Sequence, residues 1–207
     1  MAHTKHSNYH HGDARNALLA AAAALLEQSG AQGLSLRQVA HSAGLSRQAP
    51  YNHFVNKEAL LAELARAGLQ KLQAELLGIA DYPAGDDVLQ HAAETYIGFA
   101  QKTPALFRLM FSRELADPAQ SPELASAGAA AYRALADIIQ TITAPAPCDD
   151  LSLAAWSIVH GYATLCIETG LEDAAYRTQR ARQFAHLIHC AATPLPIPNR
   201  GDGGCES

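Results

Sequence analysis

The stretch "GLSRQAPYNHF", Gly44 to Phe54, places a proline inside a segment whose serine and polar run invite a short helix. The ring at Pro50 leaves no amide to donate to the carbonyl four residues back. Such a residue is tolerated only in a first helical turn, where amides have no intrahelical partner anyway. The segment therefore reads as a helix capped by Ser46 and reaching about Phe54, with two possible starts. Either the helix proper begins nearer Arg47 or Gln48, or its first turn is loosened. Both leave amides around Ser46 to Ala49 pointing outward at the positive end of a helix dipole, which suits an anion. Pro50 also removes conformational freedom from the segment before it folds.

Working outward, Ser35 is positioned to cap a short amphipathic helix from Leu36 to Ala43, closed by Gly44. Leu36, Val39 and Ala40 would face inward, and Arg37, Gln38 and His41 outward. Ahead of it, apolar positions Ala17, Leu18, Ala21, Ala24 and Leu25 mark a first helix that glycine should stop at Ser29-Gly30. Behind it, Asn56 is expected to cap a fourth helix whose Leu60, Leu61 and Leu64 enter the core. Two short helices joined by the Gly44 turn form a helix-turn-helix, whose second member presents its first turns to a DNA major groove.

The side chains suit that task. Arg47 and Gln48 are long donors that can read guanine and adenine edges. Tyr51, Asn52 and His53 offer a hydroxyl, an amide and an imidazole to bases or backbone. Ser35, Arg37 and Lys57 would clamp phosphates to either side, and the amides of Ser46 and Ala49 join the contact set. Phe54 is read as core. Charge agrees once divided: residues 1–57 carry five Lys/Arg against Asp13 and Glu27, whereas residues 58–207 carry ten basic and eighteen acidic side chains. The front end is the part suited to phosphate.

Alanine and leucine dominate the 207 residues, with no alternating β-branched run, so the fold class is all-α. No apolar run approaches the roughly 18 to 20 residues a membrane span requires. With a polar, His-rich beginning, the expected location is cytoplasmic. Beyond Leu77 longer helices follow. One begins at Asp86 or Asp87; a second begins at Thr103-Pro104, capped by the threonine; a third begins at Ser121-Pro122. Two more span about Asp149 to Thr169 and Asp173 to Ala192, and the Pro- and Gly-rich tail is read as unfolded. The expected architecture is an N-terminal three-helix helix-turn-helix DNA-binding domain, 1–57, and a larger helical ligand-binding and dimerisation domain, 58–193. The tail is 194–207.

"LSLRQVAHSAGLSRQAPYNHFVNKEALL", preceded by "YHHGDARNALLAAA", resembles the DNA-binding domain of TetR-family transcriptional regulators over roughly residues 9 to 66. The shared features are the A-x-x-A-G-L-S turn, the Y-x-H-F ending and the K-E-x-L start of the next helix. "SIVHGYATLCIETG", after Trp156, resembles a branch whose C-terminal domain carries a Trp, a V-H-G and a glycine stop. Ala49-Pro50 departs from the commoner small-residue and leucine pair and fits the same branch. The resemblance implies a homodimer on a palindromic double-stranded DNA operator, usually a repressor released by a small-molecule effector.

In the body, Tyr96, Phe99, Phe107, Met110, Phe111, Trp156, His160 and Tyr162 mark the candidate effector pocket, though core packing explains any one of them as well. Trp156, Val159, Ala163, Phe184, Leu187, Ile188 and Ala191 on the last two helices offer a dimer face, with Ala154, Ala155, Gly161 and Ala163 allowing close approach. His186, His189 and the thiols of Cys148, Cys166, Cys190 and Cys205 allow an alternative, a metal- or redox-responsive regulator. Four ligands with compatible spacing are not visible, so no metal site or cofactor is expected, and buried inert thiols are the simpler reading. No G-x-S-x-G elbow, Gly-rich phosphate loop or H-E-x-x-H is present, so catalysis is not expected.

Overall fold

The computed structural model of the chain describes residues 11–79, 86–112, 115, 121–143, 149–170 and 174–192. The tail 194–207, His10, Cys148 and Cys205 lie outside them. The described residues form α-helices and no strand: α1 His11–Gly33, α2 Leu36–Ser42, α3 Lys57–Leu77, α4 Asp86–Lys102, α5 Pro104–Met110, α6 Pro122–Thr143, α7 Asp149–Thr169 and α8 Ala174–Ala192. Between α2 and α3 lies a 3₁₀ turn, Ala49–Asn52.

The local signals act where expected in α2 and α3. Ser35 Oγ accepts the amide of Gln38, and Asn56 Oδ1 accepts that of Ala59 at 2.8 Å. Gly44 takes the left-handed conformation, φ 67°, that closes α2. Two expectations need correction. Gly30 is left-handed, φ 68° and ψ 174°, but α1 kinks there and resumes for a further turn to Gly33. The segment from Ser46 to Phe54 is no α-helix capped by serine. Residue 48 precedes a single 3₁₀ turn, and no side chain caps it. The loosened first turn, one of the two starts the proline allows, is what forms.

One apolar core joins head and body. It includes Leu18, Ala22 and Leu26 of α1, Val39 of α2 and Phe54, and continues through Leu60, Leu64, Leu69, Leu72 and Leu76 along α3. α3 is thus both the last element of the head and the first of the body. It packs against α6 and α5, while α4 packs against α8 and α7. α1 touches α5 directly, so the head is attached to the body beyond its covalent link through α3.

Candidate nucleic-acid interface and interior aromatic cluster

The opening proline is buried, and so is Phe54, 4% exposed. The Pro50 carbonyl accepts the amides of His53 at 3.0 Å and Phe54 at 2.8 Å. The ring needs no donor partner and acts as an apolar plug that holds the 3₁₀ turn against α1 and α2. With Pro50 inward, the residues before and after it face out. Ser46, Arg47 and Gln48 are exposed, Tyr51 is 55% exposed, Asn52 is exposed, and Ala49 and His53 are half-buried. Arg37, Gln38 and His41 are exposed on the neighbouring α2. Between the two elements lies a hollow of about 760 Å³ lined by Arg37, Gln38, His41, Leu45, Ser46 and Arg47.

Two expected phosphate clamps have other employment. Ser35 Oγ, besides accepting the Gln38 amide, donates its own proton to Gln38 Oε1 at 2.6 Å. Lys57 Nζ donates to the Gln32 carbonyl at 3.2 Å, tying the start of α3 to the end of α1. Arg37 is not so engaged.

Sequence reading missed Arg15 and Glu63. The Arg15 guanidinium pairs with Glu63 at 2.6 Å and lies over the Phe54 ring, 5.6 Å from its centroid. Glu63 also binds Arg66 bidentately. Arg66 is the leading cause that holds the Glu63 carboxyl down at about 2, with Arg15 adding to it against the opposing effect of burial. The signal was available only as an i, i+3 Glu–Arg pair on one helix.

In the body, five of the eight candidate pocket residues come together. Tyr96 is 2% exposed and its hydroxyl accepts the Trp156 Nε1–H at 3.0 Å. The same oxygen lies 2.9 Å from His160 Nδ1. A buried phenol must place its proton, so Tyr96 donates to Nδ1 and His160 is the Nε2–H tautomer. Burial lowers the His160 pKa, keeping that ring neutral, and the same cause raises that of Tyr96 out of any physiological titration. Phe107 and Phe111 complete the cluster at 5.3 and 4.5 Å from the His160 ring centroid. Tyr132, not anticipated, stands edge-on to Trp156 at 5.4 Å. Three candidates fall elsewhere. Phe99 lies under Lys71, Met110 packs against Gly68, and Tyr162 stands edge-on to Phe184. The voids beside the cluster and between α4, α7 and α8 are about 20 Å³ each, room for about one water.

Of the candidate dimer face, Leu187 and Ala191 are exposed. Val159, Ala163 and Ile188 are buried in their own subunit, and Trp156 and Phe184 are half-buried. The apolar groups left outside on α7 and α8 are Leu153, Leu165, Tyr176 and Leu187, each more than half exposed, with Ala154, Ser157, Gly161 and Thr164 on the α7 surface between them. Cys166 is buried, and burial is the main cause that pushes its thiol up. Cys190, expected buried, is exposed, with its Sγ 3.6 Å from His186 Nε2. Among the described residues no three His, Cys, Asp or Glu side chains gather to hold a metal ion, and no helix is long and apolar enough to cross a membrane.

A helix-turn-helix rim carried by an all-helical body defines a DNA-binding transcriptional regulator. Residues 18–64 match the model of bacterial regulatory proteins of the tetR family, and residues 89–191 match a tetracyclin repressor-like C-terminal domain. The chain belongs to the TetR family, whose members are transcription factors and not enzymes. A Rhodococcus sp. RHA1 protein of unknown function is similar at 32% identity and TM-score 0.73, over 87% of this chain and 97% of that one. A TetR-family regulator structure from Mesorhizobium loti shares the fold at 19% identity and TM-score 0.70, over 89% and 98%. An uncharacterised HTH-type regulator, YobS of Bacillus subtilis, is 31% identical over 87 residues. That match spans 42% of this chain and 46% of the relative.

Proposed function

We propose that the chain is a cytoplasmic, homodimeric repressor that binds a palindromic operator through residues 1–57 and is released when a small molecule enters the body, residues 58–193. The observation that carries this reading is the inward Pro50: it turns Arg47, Gln48 and Tyr51 outward from a rigid base beside Arg37. Arg47 and Gln48 read bases, Tyr51, Asn52 and His53 reach bases or backbone, and Arg37 holds phosphate, joined by the amide of Ser46; the Ala49 amide, expected to point outward, is instead taken by the Ser46 carbonyl at 3.0 Å. Lys57 and Ser35 support the rim from behind. The effector site is the Tyr96, Phe107, Phe111, Trp156 and His160 cluster. Its voids are too small for a ligand, so entry requires Phe111 or Trp156, both half-buried, to move.

Selection of bound duplexes from a random pool tests the reading, and a two-part inverted sequence is the expected product. Arg47→Ala should cost about 1–3 kcal/mol on that sequence and relax preference at one position in each half. Uniform weakening on all DNA would instead place Arg47 on phosphate. Recovery of no common sequence would remove the proposal.

A further inference from the structure

Beyond its apolar packing and the Lys57 tie to Gln32, α1 is held by two contacts of charged side chains. Arg15 holds Glu63 of α3 and covers Phe54. Farther along, the Glu27 carboxylate accepts the amides of Ala105 at 3.0 Å and Leu106 at 2.9 Å, in the first turn of α5. At about 1.5 Å rise per residue the two points are roughly 18 Å apart. A charged contact near one end alone constrains α1 less than contacts at both, and the direction of α1 sets that in which Arg47 and Tyr51 project.

The α5 end of this tie is firm. Thr103, the expected cap, donates its own hydroxyl to the Phe99 carbonyl at 3.0 Å, so the α5 amides depend on Glu27, 78 residues away from Ala105. A carboxylate there also meets the positive end of the helix, and its hydrogen bonds are charge-assisted. Phe107 is buried, and the Arg108 guanidinium reaches Glu168 of α7 at 2.9 Å. Met110 rests on Gly68, where a Cβ would stand 2.8 Å from its sulfur. α5 is therefore fixed to α3 and α7, and Glu27 fixes the head to α5.

We propose that Glu27 determines operator spacing: its carboxylate sets the angle of each head on its body, and thereby the half-site separation that a dimer accepts. The inference rests on the dimeric DNA-binding reading above. Without the carboxylate, α1 keeps its apolar packing, the Lys57 tie and its Arg15 attachment but loses its bonds to the α5 amides, and the heads sample a wider range of directions. A base pair added between half-sites displaces one by about 3.4 Å and rotates it by about 35°, which a rigid pair of heads rejects and a swivelling pair accommodates.

The test uses the full-length dimer and the operator recovered by selection, remade with one base pair inserted or deleted at its centre. Fluorescence anisotropy gives the affinity of wild type, Glu27→Gln and Glu27→Ala for each duplex and for an isolated half-site. Wild type should lose about tenfold or more on each altered spacer. In Glu27→Ala that penalty should fall below about threefold, with half-site affinity unchanged. Glu27→Gln keeps an acceptor for one amide and should fall between. Thermal unfolding by circular dichroism shows whether each variant is folded, and should Glu27→Ala not fold, Glu27→Gln decides. A folded variant that keeps the full wild-type penalty overturns the inference and leaves the functional reading intact. A wild-type dimer indifferent to spacing overturns the inference likewise, whereas failure to select any two-part sequence removes the functional reading beneath it.

Discussion

Glu63 shows how much one side chain can organise at the join between head and body. It is the shared acceptor of Arg15 on α1 and Arg66 on its own helix, and its side chain is only 15% exposed. The Arg66 hydrogen bonds are the main cause that keeps it ionised down to about pH 2, against an ordinary value of 4.5. A depressed carboxyl contributes stability above its unfolded value and loses that contribution as pH falls toward the folded one. Between about pH 4.5 and about 2, wild type should therefore lose more stability than Glu63→Gln, measured as the urea midpoint at each pH. Parallel curves would show that the triad contributes nothing in that window. The Ser35 and Asn56 caps were legible in the sequence, because each bonds an amide three residues away and needs only local geometry. Glu63 was half legible: its Arg66 partner is three residues along, but Arg15 is brought to it by the packing of α1 on α3.

The same distinction holds for whole elements. The starts of α3, α6 and α7 were readable from Asn56, Ser121-Pro122 and Asp149, and the burial of Leu36, Val39 and Ala40 on α2 from their spacing. The recognition segment was readable only in part: an apparent Ser46 cap argued for an α-helix, Pro50 left two starts open, and of these the loosened turn forms, as a 3₁₀ turn over Ala49–Asn52. The α5 cap was misread for a related reason: Thr103 is local, but its hydroxyl turns back to Phe99 and the capping group comes from α1. Gly68 on α3 exposes the competition between propensity and packing. Alanine would favour the helix by about 1 kcal/mol. Its Cβ, however, would meet Met110 Sδ at 2.8 Å, Cγ at 3.1 Å and Leu106 Cδ1 at 3.2 Å. The sulfur and Cγ are mid-chain atoms of a buried side chain, and overpacking of this kind costs about 1–3 kcal/mol. Gly68→Ala should therefore lower the denaturation midpoint, and a gain in stability would show that Met110 moves aside freely.

At the scale of the whole molecule, the division of charge and the all-helical class could be taken from composition, and the candidate pocket could be narrowed only to eight residues. Which five converge depends on how α4, α5 and α7 are rotated about their axes, and no single helix encodes that. The rotations of α7 and α8 turn Val159, Ala163 and Ile188 into their own subunit and leave Leu153, Leu165, Tyr176 and Leu187 outside. If these form the dimer face, Leu187→Glu places a charge against its symmetry mate's surface and should convert the dimer to monomer in sedimentation, with operator affinity falling by about tenfold or more. A dimer that persists after that change would put the interface on another face.

Trp156 is the chain's single tryptophan, and its N–H is fastened to Tyr96 between Phe111 and Tyr132. Indole emission shifts in colour and brightness with the polarity and hydrogen bonding around it. The unlabelled protein thus carries a built-in optical gauge at the spot an effector would have to disturb, and candidate compounds can be screened by their glow alone.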